Sequence, residues 1–220
     1  MIQTARRERA FFVFFTSLAA VLLSTWGLLS GKTPVAPIAP GEVHKLLVGE
    51  AYPETVGRAI TGAVERVWVS MYVMKYQADR SYALENRLVE QLVLKHRQGL
   101  DVRVLLDASF EWSSDKNKKN TKADIKNEDA FKYLKKQGVP VRYDSLEQTM
   151  HSKFLVIDDL ISVVGSTNWT YSALKSNVET SLLVRSAELN TELADLHSRV
   201  WKAAGEGKPC PLVESRPEKK

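Results

Sequence analysis

Cysteine and histidine are scarce in this chain. Among 220 residues there is one cysteine, Cys210, and there are four histidines. A single cysteine cannot form an intrachain disulfide, and it cannot supply the cluster of thiolates that holds a structural zinc ion. Because neither an intrachain disulfide nor a zinc site built from cysteines can stabilise the fold, its stability has to come from a hydrophobic core.

An extreme of charge is also missing. Charged residues make up 26% of the chain and hydrophobic residues 44%, as in an ordinary globular protein. The formal net charge of +5 permits a phosphate-bearing partner without requiring one. The length suits one domain with a substantial core and some appended segments.

Residues 1–30 have the character of a membrane anchor or a signal segment. Arg6, Arg7 and Arg9 precede residues 11–29, which contain no charged residue and no proline. About 20 apolar residues cross a bilayer as a helix, whereas the apolar part of a cleaved signal peptide is about 7–15 residues long. Because arginines precede the span, the N-terminus should face inside. We expect a membrane-anchored protein with its domain outside the cytoplasm, periplasmic in a bacterium, or a secreted or periplasmic soluble domain after cleavage.

Three regions follow this leader. Residues 31–41 contain three prolines and predict a semi-rigid linker. Residues 42–204 predict the folded domain. Residues 205–220 are rich in glycine, proline, lysine and glutamate and predict a disordered tail.

Strand and helix patterns alternate along the folded domain. Short β-branched runs predict strands at 45–48, 66–73, 102–106, 139–143, 153–157, 161–164 and 179–184. Amphipathic periodicity predicts helices at 82–97, 124–137 and 187–204, with Ser81 and Ser186 as N-caps and Gly99 and Gly138 as terminators. This pattern predicts an α/β fold with a mixed β-sheet flanked by helices.

Lysine is concentrated between residues 113 and 126. The segment contains Lys116, Lys118, Lys119, Lys122 and Lys126. Such a segment predicts a basic loop, which either remains solvated or acts as a flap that draws an anionic backbone toward a site. In the second case the first three lysines are candidate substrate-binding residues.

One motif stands out between residues 150 and 170. Six residues fit the spacing H-x-K-x4-D-x6-G-S-x-N, namely His151, Lys153, Asp158, Gly165, Ser166 and Asn168. Six fixed positions would arise by chance in such a chain with a probability on the order of 10⁻⁶. The spacing therefore indicates a functional site.

Strand parity brings some of these side chains together. Because side chains alternate along a strand, the side chains of His151 and Lys153 point to one face. Ser166 and Asn168, which follow the next predicted strand, are also two residues apart, so their side chains point in the same direction as each other. Asp158 has the opposite parity and is better placed to fix a turn, so we assign it a supporting role. One cation and two neutral donors around an imidazole suit a phosphodiester, whose negative charge is spread over its oxygens.

With these residues the chain resembles the phospholipase D superfamily, in particular its single-motif branch of bacterial endonucleases and the mitochondrial cardiolipin hydrolase. The resemblance extends to the sequences VRVLLD at 102–107, VRYDS at 141–145 and NVE at 177–179. It implies a phospholipase D-like catalytic domain at residues 42–204, with His151 as the nucleophile that forms a phosphohistidine. It also implies that Lys153, Ser166 and Asn168 hold the phosphoryl oxygens and that Glu179 orients the His151 ring.

The chain departs from the family in two ways. It lacks the cysteine and histidine cluster of the animal mitochondrial relatives, so we expect no zinc module, and no metal or other cofactor in the reaction. It also lacks a second motif, although the family reaction uses two motif histidines. The resemblance therefore implies a homodimer with a shared active site, and His44, His96 and His197 are interpreted as structural or surface residues.

Three functions are compatible with the motif. A nucleic-acid endonuclease is favoured by the short chain, the single motif and the basic segment. A phospholipase D or cardiolipin-type lipid hydrolase at the membrane is favoured by the N-terminal leader. A phosphate-binding module without catalytic activity is the third alternative.

Overall fold

A computed structural model describes residues 43–109 and 126–210 of the chain. In these residues seven strands form one sheet with the order β1-β7-β6-β5-β2-β3-β4. The strands are β1 Val43–Leu47, β2 Arg66–Met71, β3 Asp101–Leu106, β4 Val141–Tyr143, β5 Lys153–Ile157, β6 Ile161–Gly165 and β7 Ser181–Arg185. The helices of the same residues are α1 Ala51–Gly62, α2 Leu84–Arg97, α3 Glu128–Lys136, α4 Tyr171–Lys175 and α5 Ala187–Gly205.

The sheet is mixed. Strands β2, β3 and β4 are parallel neighbours. They are parallel because α2 and then α3 return the chain to the same end of the sheet before the next strand begins. The other pairs, β2 with β5, β5 with β6, β6 with β7 and β7 with β1, are antiparallel. The α/β fold with a mixed sheet and flanking helices is confirmed.

Helices cover both faces of the sheet. Val67 and Val69 of β2 are fully buried in the main core, which includes side chains of α1 and α2. Trp68 points to the opposite face, where it shares a second cluster with Phe154 of β5 and Ala194 of α5. This division follows from the period of two along a strand. It also explains why the central strands read as nearly continuous apolar runs.

The seven predicted strands are all present, and no end is displaced by more than two residues. Two helices were missed. In α1, Pro53 and two glycines obscure the helical pattern, although Tyr52, Val56 and Ile60 form a buried stripe at a spacing of four residues. The helix α4 has only five residues, which is too short for a periodic signal.

The predicted helix ends are partly correct. Ser186 caps α5, since its hydroxyl accepts a hydrogen bond from the Leu189 amide at 3.3 Å. Ser81 does not cap α2, whose N-cap is Ala83 without a capping side chain. Gly99 and Gly138 follow α2 and α3 with φ angles of 90° and 80°, a conformation that favours glycine. Helix α3 begins four residues later than predicted, at Glu128.

The ordered domain extends beyond residue 204. The Lys208 amide donates to the Ala203 carbonyl at 3.1 Å, and the Cys210 amide donates to Gln148 Oε1 at 3.0 Å. The prediction of a disordered tail is therefore wrong for residues 205–210, because these backbone groups are bonded to the domain. Residues 211–220, the leader at 1–30 and the linker at 31–41 lie outside the described residues. Within the described ranges, none of the helices has the length and hydropathy to span a membrane.

A buried histidine packs between β2 and α5. The ring of His197 stacks on Trp68 with 5.2 Å between centroids and on Trp201 with 5.8 Å. Burial lowers the pKa of His197 to about 3, because an imidazolium would lose its hydration in this aromatic cluster. The interpretation of His197 as a structural residue agrees with this position.

Acid should destabilise the fold through His197. The imidazole of an unfolded chain has a pKa of about 6.5, so between that pH and about 3 the unfolded state binds a proton that the folded state does not. Stability is therefore lost as the pH falls through this window. We expect His197 to account for about 2 kcal/mol of lost unfolding free energy between pH 7 and pH 5. His197→Phe should remove this loss in urea titrations, and an equal loss in both proteins would contradict the prediction.

Candidate active site

The motif residues lie at one end of the sheet. Parallel β2 and β3 finish at this end, and antiparallel β5 starts there, since Met71 pairs with Lys153. Strand β6 then returns to the same end, where Gly165 pairs with Ser181 at the start of β7. Loops from five strands therefore converge at this end, as they do at the carboxyl ends of strands in other open α/β sheets.

His151 and Lys153 form the centre of the site. The Lys153 ammonium lies 3.2 Å from both ring nitrogens of His151 and donates to the His151 carbonyl at 2.7 Å. The histidine is exposed, whereas Lys153 is buried. Burial lowers the pKa of Lys153, and the nearby carboxylates of Glu179 and Asp107 oppose that shift. A buried cation thus lies directly behind an accessible imidazole, as the spacing predicted.

Gly165 allows β6 and β7 to approach closely. A Cβ atom at this position would lie 2.4 Å from both Ser181 Cα and the Thr180 carbonyl oxygen. Both neighbours are backbone atoms, which cannot move aside as a flexible side chain can. The glycine of the motif is therefore required by the packing of the two strands.

Ser166 and Glu179 form a pair beside this glycine. The Ser166 hydroxyl donates to the Glu179 carboxylate at 2.5 Å, and the Thr180 amide donates to the same hydroxyl at 3.0 Å. Asn177 donates to the other carboxylate oxygen at 3.0 Å. Ser166 was expected to donate a hydrogen bond to the phosphate, but here its hydroxyl donates to the Glu179 carboxylate.

The expected bond between Glu179 and the His151 ring is not formed within the chain. The Glu179 carboxylate accepts from Ser166 and Asn177 instead. Ser166 is nearby because it directly follows β6, which pairs with β7, and Asn177 is nearby because it precedes Glu179 by two residues. The influence of Glu179 on Lys153 is electrostatic, since its charge opposes the lowering of the Lys153 pKa that burial causes.

Asn168 ties the motif to the end of β2. Its Oδ1 accepts a hydrogen bond from the Val73 amide at 3.1 Å, and the following Trp169 amide donates to the Val73 carbonyl at 3.0 Å. Because the amide oxygen is used in this way, the amino group is the part of Asn168 that can donate to an anion. This geometry is compatible with the predicted role of Asn168 as a phosphate ligand.

Asp158 lies at the other end of β5. Its carboxylate accepts hydrogen bonds from the backbone amides of Val64 at 3.2 Å, Glu65 at 2.8 Å and Arg66 at 3.1 Å, and its φ angle is 49°. It was grouped with the catalytic residues in a supporting role. The geometry restricts it to the fold, because the whole of β5 separates it from His151.

Tyr72 is a site residue that the motif did not indicate. Its ring lies 4.3 Å from the His151 ring, at an interplanar angle of 58°. Lys126 donates to the Tyr72 hydroxyl at 2.6 Å and lies 3.9 Å from the centre of its ring. Tyr72 directly follows β2, and its position at the carboxyl end of a central strand is the signal that could have identified it.

Asp107 is a second residue that the motif did not indicate. It is fully buried, and it accepts hydrogen bonds from the Met150 amide at 3.0 Å and from the Ser109 amide at 3.0 Å. The Met150 bond fixes the chain just before His151. The last residue of the VRVLLD sequence, just after β3, therefore positions the nucleophile candidate from the other side of β2.

Asn127 joins the ends of β2 and β3. The fully buried side chain accepts from the Met74 amide at 2.8 Å and donates to the carbonyls of Tyr72 at 3.0 Å and Asp107 at 2.8 Å. Next to it, the Lys126 amide donates to the Ser109 carbonyl at 3.2 Å. These bonds hold the two strand ends at a fixed separation.

Lys116, Lys118 and Lys119 lie outside the described residues. Their predicted contact with substrate therefore stays a prediction. Lys126, the last lysine of that segment, lies beside the site, where its ammonium is 3.9 Å from the Asp107 carboxylate. In residues 43–109 and 126–210, no group of three or more histidine, cysteine, aspartate or glutamate side chains is arranged to hold a metal ion.

Comparison with known families agrees with this fold and motif. Residues 56–201 match the family model described as "Cardiolipin synthase, PLD-like domain", a span that contains the whole motif. The chain therefore belongs to the phospholipase D-like family.

Particular relatives are similar over parts of their length. The mitochondrial cardiolipin hydrolase of Mus musculus is 28% identical over 109 residues, which are 50% of this chain and 43% of that protein. The phospholipase D family member Nuc from Salmonella typhimurium superposes with a TM-score of 0.56 at 21% identity, covering 73% of this chain and 95% of that one. NucT from Helicobacter pylori gives 0.50 at 20% identity, covering 73% and 96%. The matched part of this chain spans less than half the length of the mouse protein. The Nuc and NucT structures share the fold of this chain.

Asp158 should contribute to stability and not to the reaction. Asp158→Ala leaves three backbone amides without their acceptor, and we expect a loss of about 1–3 kcal/mol in unfolding free energy. Asp158→Asn keeps one oxygen acceptor and should lose less. Denaturant titration measures both losses. A large fall in kcat of the folded Asp158→Asn protein, with unchanged stability, would instead assign this residue to the site.

Proposed function

We propose that the protein is a phosphodiesterase that cleaves its substrate through a phosphohistidine intermediate on His151. The observation that carries this proposal is the ammonium of Lys153, buried and 3.2 Å from both nitrogens of the exposed His151 ring. A phosphate bound in front of the ring would meet a nucleophile and a fixed positive charge together. Such preorganised charge is the main requirement of phosphoryl transfer.

In the first step, a ring nitrogen of His151 attacks phosphorus. The bond from phosphorus to the leaving oxygen breaks, and a second histidine donates the proton that makes the leaving group an alcohol. Lys153 and the amino group of Asn168 donate to the non-bridging oxygens, whose negative charge grows in the transition state. Lys126 adds a second cation at the edge of the site.

In the second step, water attacks the same phosphorus. The second histidine accepts the proton of the water, the bond between phosphorus and His151 breaks, and a phosphomonoester leaves. Tyr72 contacts the His151 ring throughout and would limit its rotation. Both steps use the lysine and amide donors for charge stabilisation, so the mechanism assigns no task to a divalent metal.

His151 should be essential for turnover. His151→Ala is expected to reduce kcat by several orders of magnitude on p-nitrophenyl methyl phosphate while the melting temperature is kept. Quenching the wild-type protein with alkaline denaturant during turnover of a ³²P-labelled diester should trap label on the chain, because a phosphohistidine is stable in base, and His151→Ala should trap none. Turnover by His151→Ala at the wild-type rate would contradict the role of His151.

Excess chelator should leave the wild-type rate unchanged. Loss of activity in chelator with rescue by an added metal would contradict the lysine-based mechanism.

The substrate class is also a proposal. The sequence argument for nucleic acid depends on lysines outside the described residues. Phe154, Leu196 and Val200 line one side of a pocket that also includes His151, and these apolar side chains favour a lipid phosphodiester. Curated relatives named cardiolipin hydrolase are consistent with the second class. We therefore place a lipid phosphodiester first and a nucleic acid backbone second. A phosphate-binding module without activity is disfavoured by the accessible His151 ring.

We also propose that two copies of the chain complete the site. The mechanism needs two histidines at one phosphate, and in the described residues only His151 lies at this end of the sheet beside Lys153. A two-fold axis would bring the same residue from both copies to one phosphate. Val178, which is 95% exposed and immediately precedes Glu179, offers an apolar contact next to the site for such a pairing.

Mixing experiments should reveal the shared site. If wild-type and His151→Ala subunits exchange freely at equal amounts, about half of the wild-type chains pair with an inactive partner. Activity per wild-type chain should then fall by about half, whereas independent sites would leave it unchanged. Val178→Asp should weaken the dimer in light scattering and lower activity at low protein concentration. A fully active monomer would rule the arrangement out.

The leader supports a location at a membrane. We propose that residues 1–30 anchor the chain with its catalytic domain outside the cytoplasm, or export it if they are cleaved. The arginines before an uncharged span motivate this topology. Protease added to intact spheroplasts should digest the domain, and digestion only after lysis would reverse the topology.

A further inference from the structure

The ring of Tyr72 is in contact with three groups of the site. Its centre lies 4.3 Å from the centre of the His151 ring, 4.7 Å from the Lys153 ammonium and 3.9 Å from the Lys126 ammonium. An aromatic ring attracts cations at such distances. Tyr72 is half-buried and directly follows β2, so a central strand of the sheet fixes its position. Two ammonium groups and the imidazole are thus gathered around one side chain.

The neighbouring Asp107 does not account for the position of Lys126. Its carboxylate is fully buried, but it accepts hydrogen bonds from the Met150 and Ser109 amides, both at 3.0 Å. The Lys126 ammonium lies 3.9 Å from this carboxylate, whereas a direct hydrogen bond between an ammonium and a carboxylate is about 2.8 Å long. Asp107 therefore has its own donors, and the lysine is held by other groups.

Two hydroxyl groups hold the Lys126 ammonium. It donates to the Tyr72 hydroxyl at 2.6 Å and to the Ser109 hydroxyl at 3.1 Å. An ammonium has three donors, so within residues 43–109 and 126–210 these two bonds leave one donor for another partner. Burial lowers the pKa of Lys153, and the charge of Lys126 lowers it further. Because such an effect falls with distance, the two cations are neighbours in the site.

We infer that Tyr72 is a positioning residue whose hydroxyl holds the Lys126 ammonium beside His151, so that Lys126 is a second cationic ligand of the phosphate. This inference rests on the phosphate site of the proposed function and adds to it two residues outside the motif. A lysine side chain is long and flexible, and a hydrogen bond to a fixed hydroxyl reduces the entropy that it loses when it binds an anion. Two fixed ammonium groups also stabilise the charge on the phosphoryl oxygens more than one does.

Binding of inorganic phosphate to the full chain tests the inference without turnover. In calorimetric titrations Lys126→Met should weaken binding by at least about tenfold, because a hydrogen bond between charged groups is lost. Tyr72→Phe keeps the ring but removes the hydroxyl, and it should weaken binding about threefold to tenfold. Lys136→Met removes the same charge from an exposed position of α3 and should bind phosphate as the wild-type protein does. Melting temperatures show which variants are folded.

A double-mutant cycle separates positioning of Lys126 from an independent effect of Tyr72. In the Lys126→Met protein, Tyr72→Phe should change the phosphate affinity by less than about twofold, because the hydroxyl no longer holds a cation. Lys126→Arg keeps the charge and should bind phosphate more tightly than Lys126→Met. With p-nitrophenyl methyl phosphate, both single variants should raise KM, whereas a role limited to folding would lower kcat and leave KM unchanged.

Three results would overturn the inference. They are an equal effect of Tyr72→Phe with and without Lys126, an unchanged phosphate affinity of folded Lys126→Met, and no binding of phosphate by the wild-type protein. Failure of the catalytic proposal looks different. If phosphate binds with the expected coupling between Tyr72 and Lys126 but no diester is cleaved, the proposed reaction is wrong and the roles of these two residues in binding phosphate stand.

Discussion

The pairing of β5 between β2 and β6 is the constraint on which the site depends. Met71 opposite Lys153 and Phe154 opposite Val164 fix the register. A slip of one residue would turn every side chain of β5 to the other face. Lys153 would then point into the aromatic cluster around His197, and Phe154 would leave its apolar neighbours. Because both faces of β5 are buried, such a slip is costly, and the apolar packing of the sheet thereby positions the polar site.

The strands and the centre of the site could be predicted from the sequence because both depend on local patterns. His151, Lys153 and the glycine of β6 belong to one hairpin, so spacing and parity are enough to place them. Tyr72, Asp107 and Asn127 come from other elements. Their proximity follows from the order β5-β2-β3 in the sheet, and a single sequence carries no signal for the order of strands that are distant along the chain.

Two carboxylates show a second limit of sequence reasoning. Asp158 and Glu179 both follow the family pattern, yet one binds backbone amides at the far end of β5 and the other binds Ser166. Parity correctly separated Asp158 from the histidine, because alternation holds along any strand. It could not identify the partners of Glu179, because the pairing of β6 with β7 brings Ser166 to that carboxylate, and the turn before β7 brings Asn177.

The bond between the Lys126 amide and the Ser109 carbonyl, 3.2 Å long, has a consequence for how the protein can vary. Ser109, which follows β3, and Lys126, which precedes α3, therefore lie side by side, and Asn127 is hydrogen-bonded to the residues that directly follow β2 and β3. Closing a longer or shorter connection between fixed ends changes the free energy by only about 0.6 kcal/mol for each doubling of length. The length of a connection between these two points can therefore change without moving the ends of β2 and β3, because Asn127 holds both of them.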